Sequence, residues 1–170
     1  GGNVPDAEDM FPGDLANMAI GQGQLEASPL QVASMIATVV NDGVRVTPRL
    51  VEKTIAYSGT TLRKFPVAAG KRIITKGTAA QLRTMLAATT KNGTGQGALA
   101  EKIETAGKTG SAETGRTDAS GKGINHAWFA GYAPVKNPRY VIVVLVEEGR
   151  SGGDVAAPIF KEIVEELFEK

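Results

Sequence analysis

The sequence predicts an α+β fold, in which an antiparallel sheet carries flanking helices. Three segments place apolar residues at helical spacing, and two strand-like segments, 126–133 and 139–147, are separated only by a short turn at 134–138. Strands joined by so short a connection run antiparallel, because parallel neighbours need a crossover of a dozen or more residues. Helices grouped around an antiparallel sheet are typical of the α+β class.

The first helix is predicted to begin at Pro29, directly after the capping residue Ser28. Proline suits the first helical position, and Gln31 completes a capping-box pattern with the serine. The segment 41–43, Asn-Asp-Gly, supplies the stop. The apolar positions of this helix are Val32, Met35, Ile36 and Val39.

Two short extended runs, 49–57 and 60–65, follow and are predicted to form a β-hairpin around Ser58-Gly59. A second helix is predicted from about Thr75 to Lys91 and ends at Asn92-Gly93. Its predicted apolar face consists of Leu82, Met85, Leu86 and Thr89.

The remaining elements are an extended segment over 103–113, a polar Gly-rich connection to residue 123, the two strands already named and a last helix over 155–169. The run 141–146 is apolar without alternation, so both faces of that strand are predicted to be covered. The last helix carries one apolar stripe, formed by Ile159, Phe160, Ile163, Val164 and Leu167.

Composition excludes several function classes. The chain has 170 residues with 19 basic and 18 acidic side chains, and no basic tract interleaved with aromatics, so we expect no nucleic-acid partner. It has no cysteine, which removes disulfides, thiolate catalysis and zinc–cysteine clusters. No run approaches the roughly 18–20 apolar residues that span a bilayer. We expect no cofactor and no metal.

Residues 1–12 are predicted to be a polar terminal segment, and residues 13–170 a single domain or a large part of one. The acidic side chains Asp6, Glu8 and Asp9 have no spacing that matches a calcium loop, so we interpret them as solvated. The sequence opens with Gly1-Gly2-Asn3 rather than Met, which we interpret as the mark of a processed product, a proteolytic fragment or a boundary chosen for expression.

The segment from Gly107 to Ser111, Gly-Lys-Thr-Gly-Ser, is the sharpest motif. A phosphate-binding loop would need a glycine five residues before Gly107, where this sequence has Lys102, and it would open a helix rather than lie between extended runs. We therefore reject the nucleotide interpretation. A plain β-strand and a strand that lines a serine acyl-transferase cleft both remain open at this point.

The acyl-transferase interpretation is chemically coherent. The ammonium of Lys108 can stabilise negative charge near a nucleophile, and the hydroxyls of Thr109 and Ser111 can bind a carboxylate. Gly110 has no side chain to block a substrate lying beside the strand. The backbone N–H of Ser111 could contribute to an oxyanion hole.

Several further segments surround this motif in an order that resembles the class B penicillin-binding proteins, from about residue 13 to the end. They are Gly13-Asp14, Asn17-Met18-Ala19-Ile20-Gly21-Gln22-Gly23, Ser28-Pro29-Leu30-Gln31-Val32-Ala33, Pro48-Arg49-Leu50-Val51, Gly93-Thr94-Gly95, Ala106-Gly107-Lys108-Thr109-Gly110-Ser111-Ala112-Glu113, His126-Ala127-Trp128-Phe129-Ala130-Gly131-Tyr132-Ala133-Pro134 and Ala156-Ala157-Pro158-Ile159-Phe160.

The resemblance implies the C-terminal portion of a peptidoglycan D,D-transpeptidase domain, with part of the penicillin-binding and serine β-lactamase-like fold. In that family a serine attacks a D-Ala-D-Ala stem peptide, β-lactams mimic this donor, and three motifs, Ser-x-x-Lys, Ser-x-Asn and Lys-Thr-Gly, form the site. The resemblance assigns a catalytic role to Lys108. It assigns substrate binding to Thr109, Gly110 and Ser111. The parent protein would act on the extracytoplasmic face of the bacterial cell membrane, anchored by a segment absent from this sequence.

The sequence departs from the family pattern at the nucleophile. None of its six serines has lysine three residues later or asparagine two residues later. In the family both motifs, and two strands of the five-stranded sheet, precede the position of Gly13. We therefore expect the chain to be inactive alone. The strand over 139–147 would lack its usual neighbour, which predicts a homo-oligomer, a domain swap or a complex with the N-terminal half of the same domain.

Two alternatives stay open: a serine β-lactamase or β-lactam sensor, and a non-catalytic interaction module. Other residues have ordinary interpretations beside functional ones. His126 and Trp128 are expected to be structural, Glu113 to be solvated, and the neighbours Glu147 and Glu148 to point to opposite faces of a strand. The glycines of segments 21–23 and 93–95 could border the cleft or simply form turns.

Overall fold

The computed structural model describes residues 2–169 and confirms the α+β architecture. Strands β3, β4 and β5 form a three-stranded antiparallel sheet in that order, and β1 and β2 form a separate hairpin. The helices are α1 (Pro12–Ala19), α2 (Pro29–Val40), α3 (Lys76–Asn92) and α4 (Ala157–Phe168); the strands are β1 (Lys53–Ile55), β2 (Thr61–Lys64), β3 (Ala106–Thr117), β4 (Gly123–Ala133) and β5 (Tyr140–Val146).

The two faces of the sheet hold separate apolar clusters. On one face the rings of Phe129 and Phe160 pack with their centroids 4.7 Å apart, next to the buried Val164 of α4. On the other face Tyr132 packs with Ile36 of α2. Alternate residues of β5 join the two clusters, so both of its faces are covered, as predicted.

Capping begins α2 where the sequence predicts it. The Ser28 hydroxyl accepts a hydrogen bond from the Gln31 N–H at 3.3 Å, and the Gln31 side chain accepts one from the Ser28 N–H at 2.8 Å. The predicted apolar faces are only partly right, because Met35 is 58% exposed and Met85 of α3 is 64% exposed. In each helix, the side chains that pack against the sheet form a narrower stripe than the apolar residues of that helix.

Helix α1 was not predicted, so the expectation of three helices is wrong. Pro12 opens this helix, and the Asp14 carboxylate accepts a hydrogen bond from the Phe11 N–H at 3.0 Å. None of the residues of α1 is buried. A helix that buries no side chain needs no apolar periodicity, and this is why the sequence pattern failed to reveal it.

The predicted boundaries shift at several elements, and β4 begins at Gly123 rather than at His126. The hairpin strands are shorter than expected, β3 begins at Ala106 rather than at residue 103 and extends to Thr117, and α4 begins at Ala157. A single π-helical turn, Gly152–Ala156, precedes α4 and lies against the sheet. This turn approaches the strand that carries the Lys-Thr-Gly motif.

Candidate functional site

The Gly107–Ser111 segment lies within β3, which is an outer strand of the sheet. In the register with β4, Lys108 is opposite Ala130, Gly110 is opposite Trp128 and Ser111 is opposite Ala127. The motif is therefore extended backbone in the middle of a strand and opens no helix, in agreement with the rejection of a phosphate-binding loop.

The edge of β3 that faces away from β4 is polar at the motif. The Ser111 carbonyl accepts a hydrogen bond from the Gln22 side-chain amide at 2.9 Å, and the Thr109 carbonyl accepts one from the Lys108 ammonium at 2.9 Å. In an antiparallel strand the N–H and C=O of one residue point to the same side. The N–H of Ser111 therefore also points away from β4, along this edge.

A loop after α3 contacts the same strand. The Thr94 and Thr109 hydroxyls are 2.7 Å apart, and the Lys108 ammonium lies 3.4 Å from the Thr109 hydroxyl. The structure thus brings one cation and two hydroxyls together at the start of the motif. Sequence reasoning left the functions of segments 21–23 and 93–95 open, and both segments contact β3 through a side chain.

The glycines of this region permit close backbone approach. A Cβ atom at Gly152 would lie 2.3 Å from the Trp128 carbonyl oxygen and 2.5 Å from that of Gly110. The N–H of Gly152 donates to the Ser111 hydroxyl at 3.4 Å. The π-helical turn therefore supports the motif from one face of the sheet, and only glycine fits at this contact.

The other residues singled out in the sequence lie beside the motif rather than within it. His126 accepts a hydrogen bond on Nδ1 from the Glu148 N–H at 3.1 Å, an interaction that ties the end of β5 to β4. Trp128 is half-buried opposite Gly110, and Glu113 is exposed. Glu148 pairs with Arg116 at 3.0 Å, which fits a structural interpretation of the carboxylate.

Two negative findings apply to residues 2–169. No cluster of three or more His, Cys, Asp or Glu side chains could hold a metal ion. No helix has the length and apolar character needed to cross a bilayer.

Comparison with known proteins identifies the family of this site. Residues 1–165 match the family model of the penicillin-binding protein transpeptidase domain. The penicillin-binding protein PbpB of Mycolicibacterium smegmatis is 37% identical over 99% of this chain and 28% of its own length. The peptidoglycan D,D-transpeptidase MrdA of Acinetobacter baumannii is 32% identical over 87% of this chain and 24% of its own length.

Solved structures give the same result at the level of the fold. Penicillin-binding protein 3 of Mycobacterium tuberculosis, complexed with aztreonam, superposes with a TM-score of 0.83 at 33% identity, over 99% of this chain and 40% of that protein. Penicillin-binding protein A of the same organism, as an imipenem acyl-enzyme, superposes with a TM-score of 0.79 at 29% identity, over 90% of this chain and 33% of that protein.

The chain spans between about a quarter and two fifths of the relatives that it matches. The family match covers nearly the whole chain, and the antiparallel sheet, the flanking helices and the order of the motifs agree with it. The chain belongs to the transpeptidase family of class B penicillin-binding proteins, as part of a D,D-transpeptidase domain.

Proposed function

We propose that β3 is the substrate-side wall of a peptidoglycan D,D-transpeptidase site. The observation that carries this proposal is the polar outer edge of β3 at Ser111, where the residue directs its N–H and C=O away from β4 and Gln22 binds the C=O. An acyl donor that lies along this edge can bind in the manner of an added antiparallel strand. A donor carbonyl placed at the Ser111 N–H would receive an oxyanion-hole hydrogen bond as the tetrahedral intermediate forms.

The side chains of the motif have separate roles. Lys108 carries the positive charge that stabilises the oxyanion and the proton relay of a serine nucleophile, and it is exposed at the strand edge. Thr109 and Ser111 lie two residues apart on one side of the strand, so their hydroxyls can bind the terminal carboxylate of the donor peptide together. Gly110 leaves room for the donor backbone.

Gln22 and Thr94 are positioning residues in this proposal. Gln22 occupies the carbonyl of Ser111 and leaves the N–H of the same residue free for the substrate. Thr94 shares a hydrogen bond with the Thr109 hydroxyl and so fixes its rotamer. Replacing either residue is expected to weaken donor binding without removing the reaction.

The donor is a stem peptide that ends in D-Ala-D-Ala, and β-lactams compete with it. Relatives with the same fold have been solved with aztreonam and as an imipenem acyl-enzyme, and this supports a β-lactam site in the complete domain. The blocks Ala19–Gly23 and Ser28–Gln31, which resemble those of the transpeptidases, favour this function over a β-lactamase or a β-lactam sensor.

The nucleophile comes from outside the 170 residues, because no serine in them has the Ser-x-x-Lys or Ser-x-Asn pattern. Residues 13–170 contribute the third motif and the sheet, and the N-terminal half of the same domain contributes the serine and a strand beside β5. The isolated chain is then inactive and prone to self-association through β5. The complete protein acts on the extracytoplasmic face of the cell membrane.

Acylation of the complete domain by a fluorescent penicillin tests the role of Lys108. Lys108→Ala is expected to lower the second-order acylation rate by a factor of about 10² or more, because the site loses the charge that stabilises the developing oxyanion. Lys122→Ala, in the exposed β3–β4 turn, is the matched control and is expected to leave the rate unchanged.

Equal rates for Lys108→Ala and the unsubstituted domain would overturn the assignment of β3. Absence of acylation in the unsubstituted complete domain would instead support a non-catalytic interaction module that retains the fold. Circular dichroism of each variant separates loss of function from loss of folding.

A further inference from the structure

Residues 45–72, here called the basic arm, concentrate positive charge. The arm contains seven basic side chains and one acidic one, whereas the rest of the chain has twelve basic and seventeen acidic ones. All seven are exposed, and among residues 2–169 none of the seven forms an ion pair. The seven are Arg45, Arg49, Lys53, Arg63, Lys64, Lys71 and Arg72.

The β1–β2 hairpin of the arm projects from the body of the protein. All residues of both strands are exposed, and no other helix or strand packs extensively against them. Large apolar side chains are exposed along its length, from Leu50 and Val51 at the base through Ile55 and Leu62 to Tyr57 near the turn. A two-stranded hairpin with this much exposed apolar surface is marginally stable in water unless something packs against it.

The hairpin also contains a repulsive cross-strand pair. Lys53 of β1 lies directly opposite Lys64 of β2, so both ammonium groups emerge on the same face. Like charges at directly opposite positions destabilise a strand pair. The neighbouring carboxylate of Glu52 points to the other face and cannot neutralise the pair, since successive residues of a strand alternate. A negative charge brought to this face from outside would relieve the repulsion.

The free edge of β1 is suited to receive an additional strand. The Glu52 carbonyl accepts the Phe65 N–H and the Ala56 N–H donates to the Thr60 carbonyl, so alternate residues of β1 point their backbone groups towards β2. Lys53 and Ile55 therefore direct theirs outward, and the Ile55 side chain shares the face of the lysine pair. The edge of β2 is less suitable, because the register shift leaves Leu62 as a bulge.

We propose that this edge binds an extended, acidic segment of a partner protein by β-strand addition. The exposed face is basic at Lys53 and apolar at Ile55, which specifies an acidic and an apolar side chain on the same face of the partner strand. The partner segment accordingly has an acidic and an apolar residue separated by one residue. The proposal does not depend on the role of β3.

The distribution of apolar side chains favours a protein over a lipid surface. Insertion of a hairpin into a bilayer needs its apolar residues concentrated at the tip, but those of the arm are spread over its whole length, from Leu50 and Val51 at the base to Tyr57 near the turn. A polyanionic polymer would match the charge of the arm and leave these apolar side chains in water. A strand lying along β1 covers both kinds of side chain at once.

The test is binding of a labelled synthetic peptide, Ser-Val-Thr-Glu-Thr-Val-Ser, to the 170-residue chain, measured by fluorescence anisotropy. We expect saturable binding that Lys53→Glu weakens about tenfold, because the cross-strand attraction becomes a repulsion. The matched control, Lys102→Glu, makes the same charge change at an exposed site outside the arm and is expected to leave the affinity within about twofold.

Two further peptides make the test specific for strand addition. A peptide with Lys in place of Glu should bind Lys53→Glu better than it binds the unsubstituted chain. A peptide N-methylated on the amides that face β1 keeps its charge, loses the main-chain hydrogen bonds, and should not bind.

The proposal would be overturned if N-methylation of the peptide did not reduce its affinity, or if Lys53→Glu and Lys102→Glu changed the affinity equally. Absence of saturable binding would overturn it as well. Association of the chain with phosphatidylglycerol vesicles that depends on Lys53 would also overturn it, in favour of a lipid surface.

Discussion

The sheet body and the basic arm use apolar residues in opposite ways. In the body, Phe129, Phe160 and Val164 are fully buried between β4 and α4. In the arm, Leu50 and Leu62 are exposed to solvent along a hairpin that has little contact with the rest of the chain. The comparison indicates that stability resides in the body, and it leaves the exposed side chains of the arm available for the partner segment proposed above.

The largest expected effect comes from opening a cavity in the body. Phe160→Ala is expected to lower the free energy of unfolding by about 3–5 kcal/mol, because it removes the ring packed 4.7 Å from Phe129. Urea unfolding followed by the fluorescence of Trp128 measures it. Leu62→Ala in the arm is the control and should change stability by no more than about 0.5 kcal/mol. A loss as large in the arm as in the body would contradict the comparison.

The next effect concerns the contact between the π-helical turn and the motif. Gly152→Ala places a methyl group 2.3 Å from the Trp128 carbonyl oxygen of β4 and 2.5 Å from the Gly110 carbonyl oxygen of β3, so the turn must move away from the sheet. We expect a loss of about 1–3 kcal/mol in the same unfolding measurement. Gly123→Ala, where an added Cβ meets no atom within 4 Å, is the matched control. A stability unchanged by Gly152→Ala would show that the turn does not pack against the strand.

A buried hydrogen bond links α3 to the segment before β3. The Thr90 hydroxyl donates to the Thr105 carbonyl at 2.6 Å, and both residues are buried. Thr90→Val keeps the shape of the side chain but removes the hydroxyl that donates to the Thr105 carbonyl. This loss is expected to lower the free energy of unfolding by about 1–2 kcal/mol. Thr84→Val removes an exposed hydroxyl from the same helix and serves as the control in thermal unfolding. Equal effects of the two substitutions would argue against a buried link.

The smallest effect is a pH dependence at the junction of α2 and α3. Hydrogen bonds from Arg83 and then Lys76 hold the pKa of Asp42 below its ordinary value of 3.8. A lowered pKa means that this carboxylate stabilises the folded chain above pH 3.8 and that the contribution is lost as the pH falls below it. Thermal unfolding between pH 6 and about pH 2 should therefore show a shallower acid loss in Asp42→Asn. A profile identical in both proteins would exclude this linkage.

Local chemistry predicted much of the fold. The Ser28 cap, the Gly93 stop after α3 and the strands on either side of the 134–138 turn all follow from nearest-neighbour patterns. Helix α1 did not, because it buries nothing and its capping position holds Phe11, which offers no side-chain acceptor. The exposed Met35 and Met85 show that apolar periodicity locates a helix better than it locates the buried stripe.

The motif itself was evident in the sequence, but its surroundings were not. The contact between Gln22 and Ser111 joins residues 89 positions apart, and no pattern along the chain predicts it. Thr94 and Thr109 are closer, but Thr94 lies in the irregular loop after α3, so no periodicity along the chain places its hydroxyl beside that of Thr109 in β3. Such contacts arise from packing of the turn and the loop against β3, and only the folded chain shows them.

We propose that this chain supplies the substrate-side strand of a transpeptidase whose nucleophile lies elsewhere in the domain. Intact-mass spectrometry after incubation with a penicillin tests it most directly, on the chain alone and mixed with the N-terminal half of the domain. We expect no adduct on the chain alone and, in the mixture, an adduct on the N-terminal half. A covalent adduct on the 170-residue chain itself would contradict it.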